Sequence, residues 1–296
     1  MANENHLTLI NKGVSAWNQW RDENPDVAPD LSGINLNKIN LKHANLSHVD
    51  LSQTSLLGAD LGYTNLHCVN LSRADLSGVD FNEANLTEAN LTDTNLLGAY
   101  LSGADLSQAD LSRAKVNRAD LTGVNLSSAI LTKTSLVGAD LSRANLSQAS
   151  MVGADLSRTE MSRVDLSQTD LTGAALRDTR LIGANLSQSI LVNAVLIGAR
   201  LNRADLSATN FTGANLSTAT LLGAKLTQAN LSQADLTAAN LSGANLSEAI
   251  LTQAILDEAN LSGANLTDAV VTDMSAEGAD FSQATLPDGS LSESPS

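Results

Sequence analysis

The chain has 296 residues, of which 43% are hydrophobic but only 2% aromatic, and its formal net charge is −15. That acidity excludes a nonspecific grip on nucleic acid or anionic lipid, both of which need clustered positive charge. Its one cysteine, Cys68, excludes an intrachain disulfide, and no run reaches the roughly 18 apolar residues that span a bilayer, so neither nucleic acid nor membrane is an expected direct partner.

The opening MANENHLTLINKG has no basic region followed by an apolar run, so no secretory signal is expected. With the lone cysteine, a reducing, cytoplasmic setting is the expectation. Over residues 3–21, Leu7, Ile10, Val14 and Trp17 recur at helical spacing, and Asn3 or Asn5 can serve as N-cap. Pro25 and Pro29 then impose an extended path. Residues 1–30 are therefore expected to form one capping α-helix with an extended lead-in, Trp17 and Trp20 lying over the structure that follows.

From Leu31 a five-residue pattern runs to Leu286. Of its 52 central positions 44 are Leu, the others being Phe81, Val116, Met151, Met161, Phe211, Val271, Ala276 and Phe281. Two residues before each centre Ala occupies 34 of 51 positions, and one residue before, Asn or Asp occupies 32 of 51. A helix would smear a period of five around every side, and a continuous strand would flip successive Leu to opposite faces. The backbone must therefore bend once per repeat. Ala and Leu point inward along a short extended segment, the Asn or Asp between them points outward, and Ser/Thr with the next residue makes the corner. If each corner turns about a right angle, four repeats close a coil of 20 residues. About 13 such coils, stacked at about 4.8 Å, make a rod roughly 60 Å long. Near the end Met274 stands where Ala is usual and Ala276 where Leu is usual, an exchange that conserves core volume. Residues 287–296, LPDGSLSESPS with its preceding Leu, are expected to be a flexible tail.

The repeats ADLSG, ADLSR, ANLSQ and ANLTD resemble those of pentapeptide-repeat proteins, and the resemblance covers residues 31–286. It implies an all-β solenoid, a right-handed quadrilateral β-helix, with the handedness coming from the family and not from the spacing. The opening WNQWRDENPDVAPDLSG and the closing LPDGS also resemble the ends of many such proteins, which abound in cyanobacteria.

Nothing in the pattern asks for catalysis. Only four His are present, all within the first 67 residues, and the regular Asp positions follow from the repeat itself. A spacing of 20 places His48 beneath Cys68, with His67 beside it. Two imidazoles and a thiol suit zinc, but no fourth ligand is evident and corners face solvent, so no metal and no cofactor is expected. Residues 143–203 carry seven Arg against five acids, whereas 204–296 carry only Lys225 against eleven. Arg143 is expected under Arg163 and Arg180 under Arg200, with Arg203 near. That face is either balanced by Asp140 and Glu160 or open to an anionic partner. Beside it, SILVNAVLIGAR turns Ile190, Val192, Val195 and Ile197 outward. Outward apolar residues either suit a strand or mark a contact.

The expected role is a non-enzymatic protein-interaction or regulatory scaffold with an unidentified protein partner. Ile190, Val192, Val195, Ile197, Arg180, Arg200 and Arg203 are its candidate surface. The resemblance suggests an alternative, an acidic DNA mimic that binds a type II topoisomerase. The dimerising C-terminal helix and interrupting loops that accompany that role are not visible. A monomer is preferred to an end-to-end dimer.

Overall fold

The computed structural model describes residues 2–292. It comprises two compact units, Met1–Asn145 and Leu146–Ser296, built on the same coil. In each, the residue before every central Leu pairs in a parallel bridge with the residue 20 further along. The bridges run from Asp30↔Asp50 to Asn125↔Asn145 in the first unit, and from Ser150↔Asp170 to Asn265↔Thr285 in the second. Four bridge columns therefore line each coil. The expected extended segments shrink to one-residue bridges, because two residues of every five are consumed by a turn.

One repeat, Asp75–Val79, contains the logic of all. The Asp75 N–H donates down to the Thr54 carbonyl at 2.9 Å, and Leu76 and Gly78 donate up to Asn95 and Leu97 at 2.7 and 3.0 Å. The Val79 N–H closes the turn onto Leu76 at 3.2 Å. That leaves the Ser77 N–H, which bonds the Asp75 carboxylate within the repeat at 3.2 Å. All five donors are satisfied, as a buried backbone requires. The turn holds its third residue at positive φ, the signature of type II. All 51 such positions share that sign, yet only 16 are Gly; the other 35 include Arg73 at φ 59 and Ala208 at φ 55. A side chain there costs on the order of 1 kcal/mol. Because each of these residues is locked by bonds to its neighbours, the strain persists.

Where the bridge residue is not Asn or Asp, the coil below can supply the missing acceptor. Asn37 takes the Leu57 N–H at 2.9 Å, Asn82 takes Ser102 at 2.9 Å, and Asn117 takes Val137 at 2.9 Å. Asn202 serves Leu222 at 3.1 Å, and Asp257 serves Glu277 at 2.9 Å while accepting the Ser275 hydroxyl. Inside, Leu and Ala are buried throughout both units, down to Leu266 and Ala269. Nine further inward positions hold Thr or Ser, from Thr54 to Thr209, and are buried as well. Their hydroxyls reach Leu carbonyls, as Thr134 does to Leu111 at 2.7 Å. A buried hydroxyl with such a partner costs little.

The expected single helix is two: α1, Glu4–Asn11, and α2, Val14–Glu23. Gly13 at φ 96 ends the first and reorients the chain for the second. Asn3 is the N-cap of α1, accepting the Asn5 N–H at 2.9 Å. α2 lies on the edge of the first coil and stands in for a coil below. Trp17 Nε1 donates to the Asn45 carbonyl at 2.7 Å. Asn18 bonds the His43 carbonyl at 3.0 Å and accepts the Asn45 N–H at 2.8 Å. Arg21 reaches the Val27 and Ser47 carbonyls at 2.6 and 3.0 Å, and burial lowers its pKa. Trp17 is fully buried, its ring 5.6 Å from that of half-buried Trp20.

At the other end of the chain, residues 287–292 are not an open tail. Leu286 donates to Ser290 and Ser292 to Ala284, both at 2.8 Å, and Leu291 pairs antiparallel with Thr285. The Pro287-Asp288-Gly289 turn permits this return, with Gly289 at φ 81. Residues 293–296 of the expected tail lie outside the described residues. The inward side chains Val271, Met274, Ala276, Phe281 and Leu286 of the last coil are only half-buried, in contrast to their counterparts below.

Trp17→Ala is expected to destabilise the first unit by about 3–5 kcal/mol, read as a lower urea midpoint, with a smaller loss for Trp20→Ala. The Ser275 hydroxyl and the Glu277 N–H hold the Asp257 carboxyl below its ordinary pKa. A depressed pKa contributes stability above the unfolded value of about 3.9 that is lost as pH falls below it. Asp257→Asn keeps the acceptor but cannot titrate, so its melting temperature should fall less between pH 7 and pH 3 than that of the wild type.

Candidate functional site

The outward run of the second unit is where the repeat departs furthest from its own chemistry. Bridge positions 175 to 200 read Ala175, Arg180, Asn185, Ile190, Val195 and Arg200, and only Asn185 carries the usual acceptor. Asn185 bonds the Ser187 N–H at 3.1 Å. The N–H groups of Arg177, Ile182, Val192, Ile197 and Asn202 have no such side-chain partner among the described residues. Net, each missing bond forgoes about 0.5–1.5 kcal/mol.

Ile190 is 42% exposed and Arg180, Arg200 and Arg203 are exposed, whereas Val192, Val195 and Ile197 are half-buried. Ile190, Val195 and Arg200 stand in three different bridge columns. The seven residues named from sequence thus wrap around the coil instead of sharing one flat face. Arg180 and Arg200 are opposed in a bridge, as the spacing of 20 requires. Arg180 is relieved by Glu160, Nη1 to Oε2 at 3.5 Å. This exposed ion pair contributes at most about 1 kcal/mol. Neither Arg200 nor Arg203 makes an ion pair among the described residues. Ile250 and Ile255 also stand at outward positions, coils away from this run. Ile250 is bridged to Val270, and all three are exposed.

A second grouping lies on one corner of the first unit. Cys68 Sγ is 3.3 Å from His67 Nε2, and the His48 and His67 rings meet edge to face at 5.4 Å. Glu88, one coil above, brings Oε2 to 3.7 Å from the same sulfur. Burial, then the Glu88 carboxylate, pushes the Cys68 thiol pKa up. His48 stands 20 residues before Cys68 and Glu88 stands 20 after it.

The Pentapeptide repeats family model matches in eight copies between residues 30 and 293. The chain belongs to the pentapeptide-repeat family. Its fold is accordingly a right-handed β-helix solenoid with few helices, and no catalytic family is indicated. Among solved pentapeptide-repeat structures it is similar to HetL, involved in heterocyst differentiation regulation in the cyanobacterium Nostoc sp. strain PCC 7120. The identity is 34% over 86% of this chain and 92% of that one, with a TM-score of 0.29. Trypsin-treated QnrB1, a plasmid-mediated fluoroquinolone resistance protein, is 22% identical over 61% of this chain and 88% of that one, with a TM-score of 0.50, a likeness of fold alone. Rfr23 from the cyanobacterium Cyanothece 51142 is 32% identical over 38% and 58%, with a TM-score of 0.17. No curated protein matches the chain. No helix among the described residues is long and apolar enough to cross a membrane.

Restoring the repeat's own residues at the outward run tests what those positions forgo. Ile190→Asn and Val195→Asn should each raise stability by about 0.5–1.5 kcal/mol, seen as a higher unfolding midpoint in urea.

Proposed function

We propose that this pentapeptide-repeat protein is a non-enzymatic interaction scaffold that presents the surface around residues 175–200 to a protein partner. The carrying observation is local. Five of six consecutive bridge positions there forgo the Asn or Asp acceptor that most other repeats carry, and they hold apolar or cationic side chains instead. Giving up stability for outward Ile, Val and Arg is the pattern of a surface kept for contact rather than for folding. Ile190, Val192, Val195 and Ile197 supply apolar area; Arg180, Arg200 and Arg203 supply donors for carboxylates. An acidic partner surface with an apolar centre fits this composition. α1 and α2 act as the end cap, Trp17 and Trp20 closing the first coil so that its edge does not recruit other chains. The alternative of a duplex mimic asks for acid distributed along the surface, and the cationic run is against it.

The test separates contact from folding. A triple variant, Ile190→Asn with Val195→Asn and Ile197→Ser, returns the surface to the repeat's own residues and is expected to be more stable than wild type. Quantitative affinity purification from the native cell should then lose the partner that wild type retains. Identical partner sets for the two proteins, at equal or higher stability of the variant, would sink the proposed surface. Inhibition of a type II topoisomerase in a supercoiling assay, unchanged in the triple variant, would favour the duplex mimic instead.

A further inference from the structure

We infer that the corner of the first unit formed by His48, His67, Cys68 and Glu88 is a transition-metal site that takes zinc(II). His48, Cys68 and Glu88 occupy the same turn position in three successive coils, at φ 57, 54 and 57. The coil-to-coil bonds hold them in line: His48 donates to the His67 carbonyl and Cys68 to that of Thr87, both at 2.9 Å. The column is therefore set by the backbone ladder and not by chance rotamers.

The ligand atoms have the spacing of a coordination shell. One nitrogen from each imidazole and the Cys68 sulfur lie within 4.8 Å of one another. With zinc–sulfur bonds of about 2.3 Å and zinc–nitrogen or zinc–oxygen bonds of about 2.0–2.2 Å, a tetrahedral shell has sulfur–nitrogen and sulfur–oxygen edges of about 3.5–3.7 Å. The Cys68–His67 separation is 3.3 Å and the Cys68–Glu88 separation 3.7 Å. Two edges of the tetrahedron are thus near their final length. His48 is exposed, and its ligating nitrogen already lies within 4.8 Å of the His67 nitrogen and the Cys68 sulfur.

His67 is also oriented as a metal ligand is. Its Nδ1 lies 2.8 Å from the Thr87 hydroxyl. When Nδ1–H donates there, Nε2 is left as the unprotonated nitrogen that can ligate, with the Cys68 sulfur beside the ring at 3.3 Å from Nε2 and 3.9 Å from Nδ1. The donor set selects the metal: one thiolate and two imidazoles favour zinc or copper over magnesium or calcium. Thiolate and carboxylate together balance a divalent charge, and binding releases the Cys68 proton to solvent. One ion at this corner would tie three successive coils together.

The experiment uses the full chain stripped of metal with a chelator and titrated with zinc(II) against a competing indicator, in parallel with cobalt(II) as a spectroscopic probe. One equivalent is expected, with a thiolate-to-cobalt charge-transfer band and the intense visible bands of tetrahedral cobalt. Cys68→Ser should abolish the charge-transfer band. It should also weaken zinc binding at least about tenfold, as should His67→Ala. Glu88→Gln, at an exposed position, should weaken zinc about tenfold while keeping the charge-transfer band. His43→Ala lies outside the group and should bind like wild type. Zinc should raise the melting temperature of wild type and not that of Cys68→Ser. Equal zinc affinity in wild type, Cys68→Ser and Glu88→Gln, or no zinc uptake by wild type at micromolar free metal, overturns the site.

Discussion

Each five-residue repeat must find partners for five backbone N–H groups while turning a corner, and the rest of the structure follows from how it does so. Three donate to neighbouring coils and one closes the turn. The fifth belongs to the residue after the central Leu and has no ladder partner, which is why an Asn or Asp side chain stands two residues before it. The preference for Asn and Asp at that place is thus a backbone requirement before it is a surface charge. Much of the chain's acidity follows from it. That origin weakens any functional meaning attached to the net charge alone.

The same requirement explains which departures matter. At Ser55, Tyr100, Ser135, Thr220 and Ser275 the acceptor comes from the coil below, so the irregularity is repaired and invites no functional reading. At Arg180, Ile190, Val195 and Arg200 it is not repaired. The contrast gives a physical criterion for a display surface on a repeat protein: an unrepaired loss, clustered in sequence, outweighs an exposed apolar side chain by itself. The ends obey the same rule. α2 supplies donors and an acceptor to the first coil through Trp17, Asn18 and Arg21, while the last described coil has only the hairpin at 286–292 over inward residues that stay half-buried.

Much of the architecture was legible because Leu, Ala and Asn/Asp never leave their places in the period. The inward positions and the spacing of 20 followed from that alone. What was not legible depended on dihedral angles and on contacts between coils. Glycine at 16 corners suggested a turn, but the left-handed conformation of Arg73 or Ala208 leaves no trace in residue type. Gly13 sat inside an unbroken apolar period and hid the division between α1 and α2. Asn37, Asn82 and Asn117 looked like ordinary polar corner residues, since their partners are 20 positions away. Glu88 was missed although it stands one step of 20 above Cys68, as His48 stands one below. Reading such a chain in rows of 20 would have revealed both.

The bonds from Asn37, Asn82, Asn117, Asn202 and Asp257 give each unit something like a reading frame. They join unlike positions in neighbouring coils, so the repeats are not interchangeable beads. Removing one repeat would keep every Leu inside and every corner intact, yet move all later residues a quarter of the way round. An acceptor whose partner lies across the deletion would then face an N–H already served, and the N–H it served would have none. Across such a pair only gains or losses of whole 20-residue coils preserve the pairing, and even these must spare a coil together with the neighbour it repairs. A lineage of such proteins should therefore change length in steps of 20, while substitutions at these five places and their partners change together.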